Sequence, residues 1–194
     1  GMDVATAMTG VPMRLTMPRV VKVNLTGSLK PGCNPKEVIL KMLQLVTIKG
    51  GLGNVYEYVG PGAAALEVPA RATIANMGAE MGATTSIFPA DAQVKKFMTA
   101  QGRGDKYVEM LPDEDAEYDG EMEINLDELN PLIACPHQPD NVIPLKDAEK
   151  KKVQQVFIGS CTNASYSDIA KVALVMQGHH VNENVSCTCA VSSK

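Results

Sequence analysis

Short β-branched runs and amphipathic helical patterns take turns along most of this chain, and glycine or proline marks each change of period. Arg19-Val20-Val21-Lys22-Val23-Asn24-Leu25 alternates as a strand does, and a turn-rich segment from Gly27 to Gly32 follows. Asn34-Pro35-Lys36-Glu37 then opens a helix by local chemistry. Asn34 can cap, Pro35 suits the first helical position, and Glu37 completes a capping box. Val38, Ile39, Met42, Leu43 and Val46 give that helix an apolar stripe, and Gly50-Gly51 lies past its end. Asn54 to Val59 reads as a second strand, stopped by Gly60-Pro61-Gly62. Pro69 to Met81 reads as a helix ending near Gly82, and Thr84 to Phe88 as a third strand. Asp91 caps another helix, which carries Val94, Phe97 and Met98 and is closed by Gly102. Strands alternating with helices over this span predict an α/β fold: a mainly parallel sheet flanked by helices.

Regularity fades after Gly102. Asp105 to Gly120 is acidic and reads as a solvated loop, and Glu121 to Leu126 as a further strand. Asn130 to Leu145 is rich in Pro and Asn, and Lys146 to Lys152 is charged, so a domain boundary is expected here. The organisation expected is a loose arm over 1–18, an α/β domain over 19–145, and the opening strand–helix–strand of a second α/β domain over 146–194. In that last segment the stretch from Val153 to Ile158 holds a short apolar run with β-branched residues, Gly159 breaks the run, and Ser160-Cys161-Thr162-Asn163 forms a polar turn. Ile169, Val172, Ala173 and Met176 share a helical face, and Val185 to Val191 reads as a closing strand. Cys161 therefore stands where a strand ends and a helix is about to begin. Outward N–H groups and the helix dipole favour a thiolate at such a place, as nucleophile or as metal ligand. A small buried thiol at a turn is the plainer alternative.

Composition removes several function classes. The chain has 194 residues and a formal net charge of -4, which disfavours nucleic-acid binding through a basic surface. Lys150-Lys151-Lys152 reads as a solvated loop. No apolar run is long enough to span a bilayer, and no signal peptide is visible, so no membrane role is expected. The five cysteines, Cys33, Cys135, Cys161, Cys187 and Cys189, are odd in number and form no CxxC pair. That disfavours a disulfide framework and a zinc ribbon, and suits reduced thiols in a cytoplasmic protein.

The run Ile158-Gly159-Ser160-Cys161-Thr162-Asn163-Ala164-Ser165-Tyr166 resembles a signature of the aconitase family of hydro-lyases. Two more stretches share the resemblance. One is Val23-Asn24-Leu25-Thr26-Gly27-Ser28-Leu29 with Pro35 to Leu40 and Lys49-Gly50-Gly51. The other is Tyr58 to Gly62 followed by Ala72-Thr73-Ile74-Ala75-Asn76-Met77-Gly78-Ala79-Glu80-Met81-Gly82-Ala83-Thr84-Thr85-Ser86-Ile87-Phe88-Pro89. The resemblance implies an interior portion of a longer enzyme, similar to its second domain and the start of its third. It implies that Cys161 is one of three thiolate ligands of a four-iron, four-sulfur cluster. It implies that Asn76 and Glu80 reach the active site beside the open iron and its bound water. Spacing agrees, since i and i+4 share one helix face, although spacing alone fits a solvated helix end better.

The departures are equally specific. No Cys-Gly-x-Cys segment follows Cys161, and Cys187 and Cys189 are spaced as CxC on a strand. The tail Ala190-Val191-Ser192-Ser193-Lys194 stands where the family has a Pro-Gly-Ser turn. What the resemblance implies for the full-length enzyme is interconversion of citrate and isocitrate through cis-aconitate, with the cluster as Lewis acid and a small tricarboxylic acid as substrate. This chain alone is expected to be inactive, free of cluster, and prone to self-association through apolar surface that other domains would cover. The alternatives are an isopropylmalate or homoaconitate hydratase, a non-catalytic α/β module that lost the site, and a cysteine-nucleophile enzyme. The last is weakest, because His137, His179 and His180 fall in expected loops.

Overall fold

The computed structural model describes residues 2–12 and 16–191. Strand β1 (Arg19–Thr26) lies inside a four-stranded sheet of order β3-β2-β1-β4, with β2 Asn54–Val59, β3 Thr85–Ile87 and β4 Gly120–Asn125. All three pairings are parallel: Val23 faces Tyr58 on one side and Met122 on the other, and Tyr56 faces Ser86. The expected mixed α/β fold with a mainly parallel sheet flanked by helices is what the chain adopts. The alternation along β1 buries Val21, Val23 and Leu25 and leaves Lys22 and Asn24 half-covered. Lys22 pairs with Glu121 of β4 at 3.3 Å on that more open face.

Helix α2 (Pro35–Val46) begins as its local chemistry requires. Asn34 Oδ1 accepts from the Lys36 N–H at 3.0 Å, and Glu37 Oε2 accepts from the Asn34 N–H at 2.7 Å. The stripe Val38, Ile39, Met42 and Leu43 is fully buried against the sheet residues Val23, Leu25, Tyr56 and Tyr58. Fully burying each such side chain contributes roughly 1.5–3 kcal/mol, so this seam is the main hold on the fold.

Several elements differ from the sequence expectation. The arm expected over 1–18 contains a short exposed helix, α1 (Met2–Met8), too brief for periodicity to reveal; Gly1 and residues 13–15 lie outside the described residues. Gly60-Pro61-Gly62 does stop β2, but Pro61 also starts a one-turn helix, α3 (Pro61–Ala65). Gly60 takes φ +92, and a Cβ there would overlap Asn24 Oδ1. The helix expected over Pro69 to Met81 is two pieces: α4 (Val68–Asn76) and a 3₁₀ turn (Met77–Met81) ended by left-handed Gly82. Helix α5 (Ala92–Ala100) follows, capped by Asp91, whose side chain accepts from the Gln93 N–H at 3.0 Å.

The Pro- and Asn-rich stretch is ordered as an antiparallel ladder, β5 (Leu132–Ala134) with β6 (Val142–Pro144). It docks on α2 and the turn that follows it: Gln44 donates to the Val142 carbonyl at 3.2 Å, and Asp140 accepts from the Ile48 N–H at 3.1 Å. Val142 and Leu129 join the same core as the main sheet. Beyond it, β7 (Gln155–Gly159), α6 (Tyr166–Met176) and β8 (Ser186–Ala190) form a strand–helix–strand unit whose two strands pair in parallel. The departing tail residues 192–194 lie outside the described residues. Among the described residues, no helix is long and apolar enough to cross a membrane.

Candidate functional site

The turn between β7 and α6 is shaped by its glycine. Gly159 has φ +136, a region open only to glycine, and a Cβ there would overlap the carbonyl of Ala190 on β8. Ser160 follows in the left-handed region at φ 77, reversing the chain before Cys161. The helix then starts on a capping box. Ser165 accepts from the Asp168 N–H, and Asp168 Oδ2 accepts from the Ser165 N–H at 3.2 Å. Between these two devices Cys161 is exposed while Ala164, three residues on, is buried. So the polar turn presents its thiol outward and anchors itself by its alanine.

Helix α4 meets this turn from the other side. Asn76 Nδ2 donates to the Cys161 carbonyl at 3.2 Å. Thr73, one turn earlier on α4, is buried and donates to the Thr162 carbonyl at 3.0 Å. Residues far apart in sequence, Asn76 and Cys161, are thereby brought together. Glu80 is exposed and, among the described residues, has no hydrogen-bond or ion-pair partner. Asn76 and Glu80 would share a face at i and i+4 only on one continuous α-helix. Because the chain passes into a 3₁₀ turn at Met77, the residues advance about 120° each rather than 100°. Glu80 is thus rotated away from the face that an α-helix would have given it.

Beside Asn76 is a small cavity of about 230 Å³, lined by small residues including Ala75, Gly78, Ala79 and Ser86. Ser86 Oγ lines that cavity, and the buried Tyr58 hydroxyl faces Ser86. Tyr58 stacks on Phe88 with ring centroids 4.7 Å apart. Burial, and to a lesser degree Tyr56, push its phenol far above the usual tyrosine range, so it stays neutral. Thr73, Ser86 and Tyr58 escape sequence reasoning because a lone hydroxyl carries no motif; only the packing shows which carbonyl or cavity it faces.

Helix α4 is held in turn by Arg71, which is 4% exposed. Its guanidinium donates to the carbonyls of Leu66 and Pro89, each at 2.9 Å, and to Asp91 Oδ2 at 2.7 Å. Burial raises the Asp91 carboxyl, but the Arg71 hydrogen bond and charge outweigh it, and the net shift is downward.

A four-iron, four-sulfur cluster needs several thiolates converging on one centre. Cys161 fits as one exposed donor. Cys187 and Cys189 sit on β8 opposite Val156 and Ile158, and Cys33 donates its S–H to the Leu129 carbonyl at 3.5 Å. Among the described residues no group of three or more His, Cys, Asp or Glu is placed to hold a metal ion. The described donors therefore do not fit the whole group; they offer one corner of it.

The family model described as the aconitase family (aconitate hydratase) matches residues 1–194. The chain is 42% identical to a mitochondrial aconitate hydratase of Gracilaria gracilis, over 91% of this chain and 25% of that protein. It is 41% identical to the mitochondrial aconitate hydratase of Schizosaccharomyces pombe, over 91% of this chain and 24% of that protein. A probable mitochondrial aconitate hydratase of Dictyostelium discoideum is 41% identical over 91% of this chain and 25% of its own length. The chain thus spans about a quarter of the length of these relatives. Their names overturn the cytoplasmic location expected from composition. Free thiols report a reducing environment, and that is not an address.

Proposed function

This chain belongs to the aconitase family, and from that premise we propose that it is part of a hydro-lyase that interconverts citrate and isocitrate through cis-aconitate. In the whole protein Cys161 is one of the thiolates that hold a four-iron, four-sulfur cluster, and when bound that cluster supplies a Lewis-acidic iron. Asn76 and Glu80 serve the reaction site: Asn76 also keeps the cysteine turn in register, and exposed Glu80, though off the α-helical face of Asn76, offers its carboxylate to the hydroxyl of the acid or to water. The substrate is a small tricarboxylic acid. The boundary between the two α/β units falls near residue 145, between the β5–β6 ladder on the main core and the unit that carries Cys161. By itself the chain carries one thiol at the site, so alone it is inactive and free of cluster.

The observation that carries this reading is the Asn76 hydrogen bond to the Cys161 carbonyl at 3.2 Å, beside an exposed thiol. It joins the two stretches of closest family resemblance into one surface. Two assays test it. The full-length protein is given cis-aconitate, isopropylmalate and homoaconitate separately; preferred turnover of cis-aconitate is expected, and preference for either other acid overturns the substrate assignment. The chain of 194 residues is treated with iron and sulfide and followed by visible absorbance. No stable cluster band is expected; a stable band with hydratase turnover overturns the claim of incompleteness.

A further inference from the structure

Thr73 stands in an unusual relation to the cysteine turn. A threonine inside an α-helix commonly returns its hydroxyl to the carbonyl four residues earlier. Here that carbonyl, of Pro69, lies at 3.3 Å, while the Thr162 carbonyl across the interface lies nearer, at 3.0 Å. A hydroxyl has one proton to donate, and the shorter contact directs it to the turn. Asn76, three residues on and on the same face of α4, takes the adjacent carbonyl, of Cys161. Two successive peptide oxygens of the turn are thus held by two side chains of one helix.

We propose that Thr73 is a positioning residue for Cys161, and that Thr73 and Asn76 together form a clamp that turns the thiol outward. The planar trans peptide sets the geometry. When the carbonyls of Cys161 and Thr162 both point at α4, the N–H groups of Thr162 and Asn163 must point away from it. Neither N–H donates to α4. Both carbonyls precede α6 and have no helical donor, so without the clamp they would have to find other partners. With it, the two peptide planes have one orientation, and the exposed Cys161 side chain departs from a fixed backbone. The weight of the clamp for catalysis rests on Cys161 being the site thiol as proposed above; the geometry itself does not.

The test reads Cys161 directly. Thr73→Val keeps the shape of the side chain and removes the donor, whereas Thr73→Ser keeps the donor. Each chain is alkylated with iodoacetamide at fixed pH, and the rate at every cysteine is followed by mass spectrometry. Exposed Cys189 serves as internal reference. Releasing one such hydrogen bond changes a local equilibrium by roughly threefold to tenfold, so T73V is expected to slow Cys161 alkylation about threefold or more, with Cys189 unchanged. T73S is expected within about twofold of the parent at both sites, and N76A to slow Cys161 as T73V does. An unchanged or faster Cys161 in folded T73V, or an equal change at every cysteine, overturns the clamp. Such a result leaves the cluster-ligand reading standing, while failure of the full-length protein to bind iron would overturn that reading and leave the clamp intact.

Discussion

Replacing Arg71 by methionine removes the group that seats α4. The side chain donates three hydrogen bonds, at 2.9, 2.9 and 2.7 Å, and the Asp91 carboxylate it pairs with is 19% exposed. Arg71→Met therefore strands two carbonyls and a mostly buried charge, and methionine fills only the hydrocarbon volume. Breaking a buried pair from one side costs about 3–5 kcal/mol. Asp91 keeps the Gln93 N–H, so the low end, about 3 kcal/mol, is expected. Asp91→Asn retains a capping oxygen and costs less, about 1–2 kcal/mol. Because the two side chains touch, the double variant should cost about 1.5 kcal/mol less than the sum. Urea unfolding measures all four proteins, with R71M lowering the midpoint by about 1–2 M. The sign of the pH dependence follows from the downward shift of Asp91. Its contribution is complete above the ordinary carboxylate range, near pH 4, and is lost as pH falls through the depressed value. The gap between parent and D91N should therefore close below about pH 4. An R71M cost under 1 kcal/mol, or additive single costs, would refute the view that this pair holds α4 in place.

Two further outcomes follow from packing. Gly159→Ala forces a Cβ onto the Ala190 carbonyl at φ +136 and should destabilise the β7–β8 ladder by about 2 kcal/mol or more; hydrogen exchange at the β8 amides reads this, and unaltered protection would contradict it. Leu174 and Val175 are exposed on α6, beside an apolar groove of about 800 Å³, so the isolated chain should associate with a second copy as concentration rises. Light scattering on dilution checks this, and a strict monomer at high concentration counts against it.

The main sheet was legible because each strand and helix there carries its own signal: alternation along β1, a capping box at Asn34, Asp91 before α5. Elements without room for a period escaped. The Pro61–Ala65 helix is one turn long, and the β5–β6 strands span three residues each in a stretch whose prolines read as loop. The passage of α4 into a 3₁₀ turn at Met77 was hidden because Met77-Gly78-Ala79-Glu80-Met81 fits either helix; buried Gly78 and Met81 pack the turn against its neighbours. At the site, Cys161 was marked by the strand-to-helix change and by the family motif. Its contact with Asn76 was not, since nothing in local sequence tells that two residues 85 positions apart will close a hydrogen bond. Location escaped for a simpler reason: free thiols report a reducing environment, and more than one compartment supplies that.

On the function proposed above, the thiol at this turn helps to hold an iron–sulfur cluster in the full-length protein. The most direct measurement is the iron content of that protein carrying Cys161→Ser, with folding confirmed by an unchanged melting temperature of the iron-free form. A loss of most iron together with hydratase turnover is predicted. Full iron content and full turnover in C161S would rule that role out.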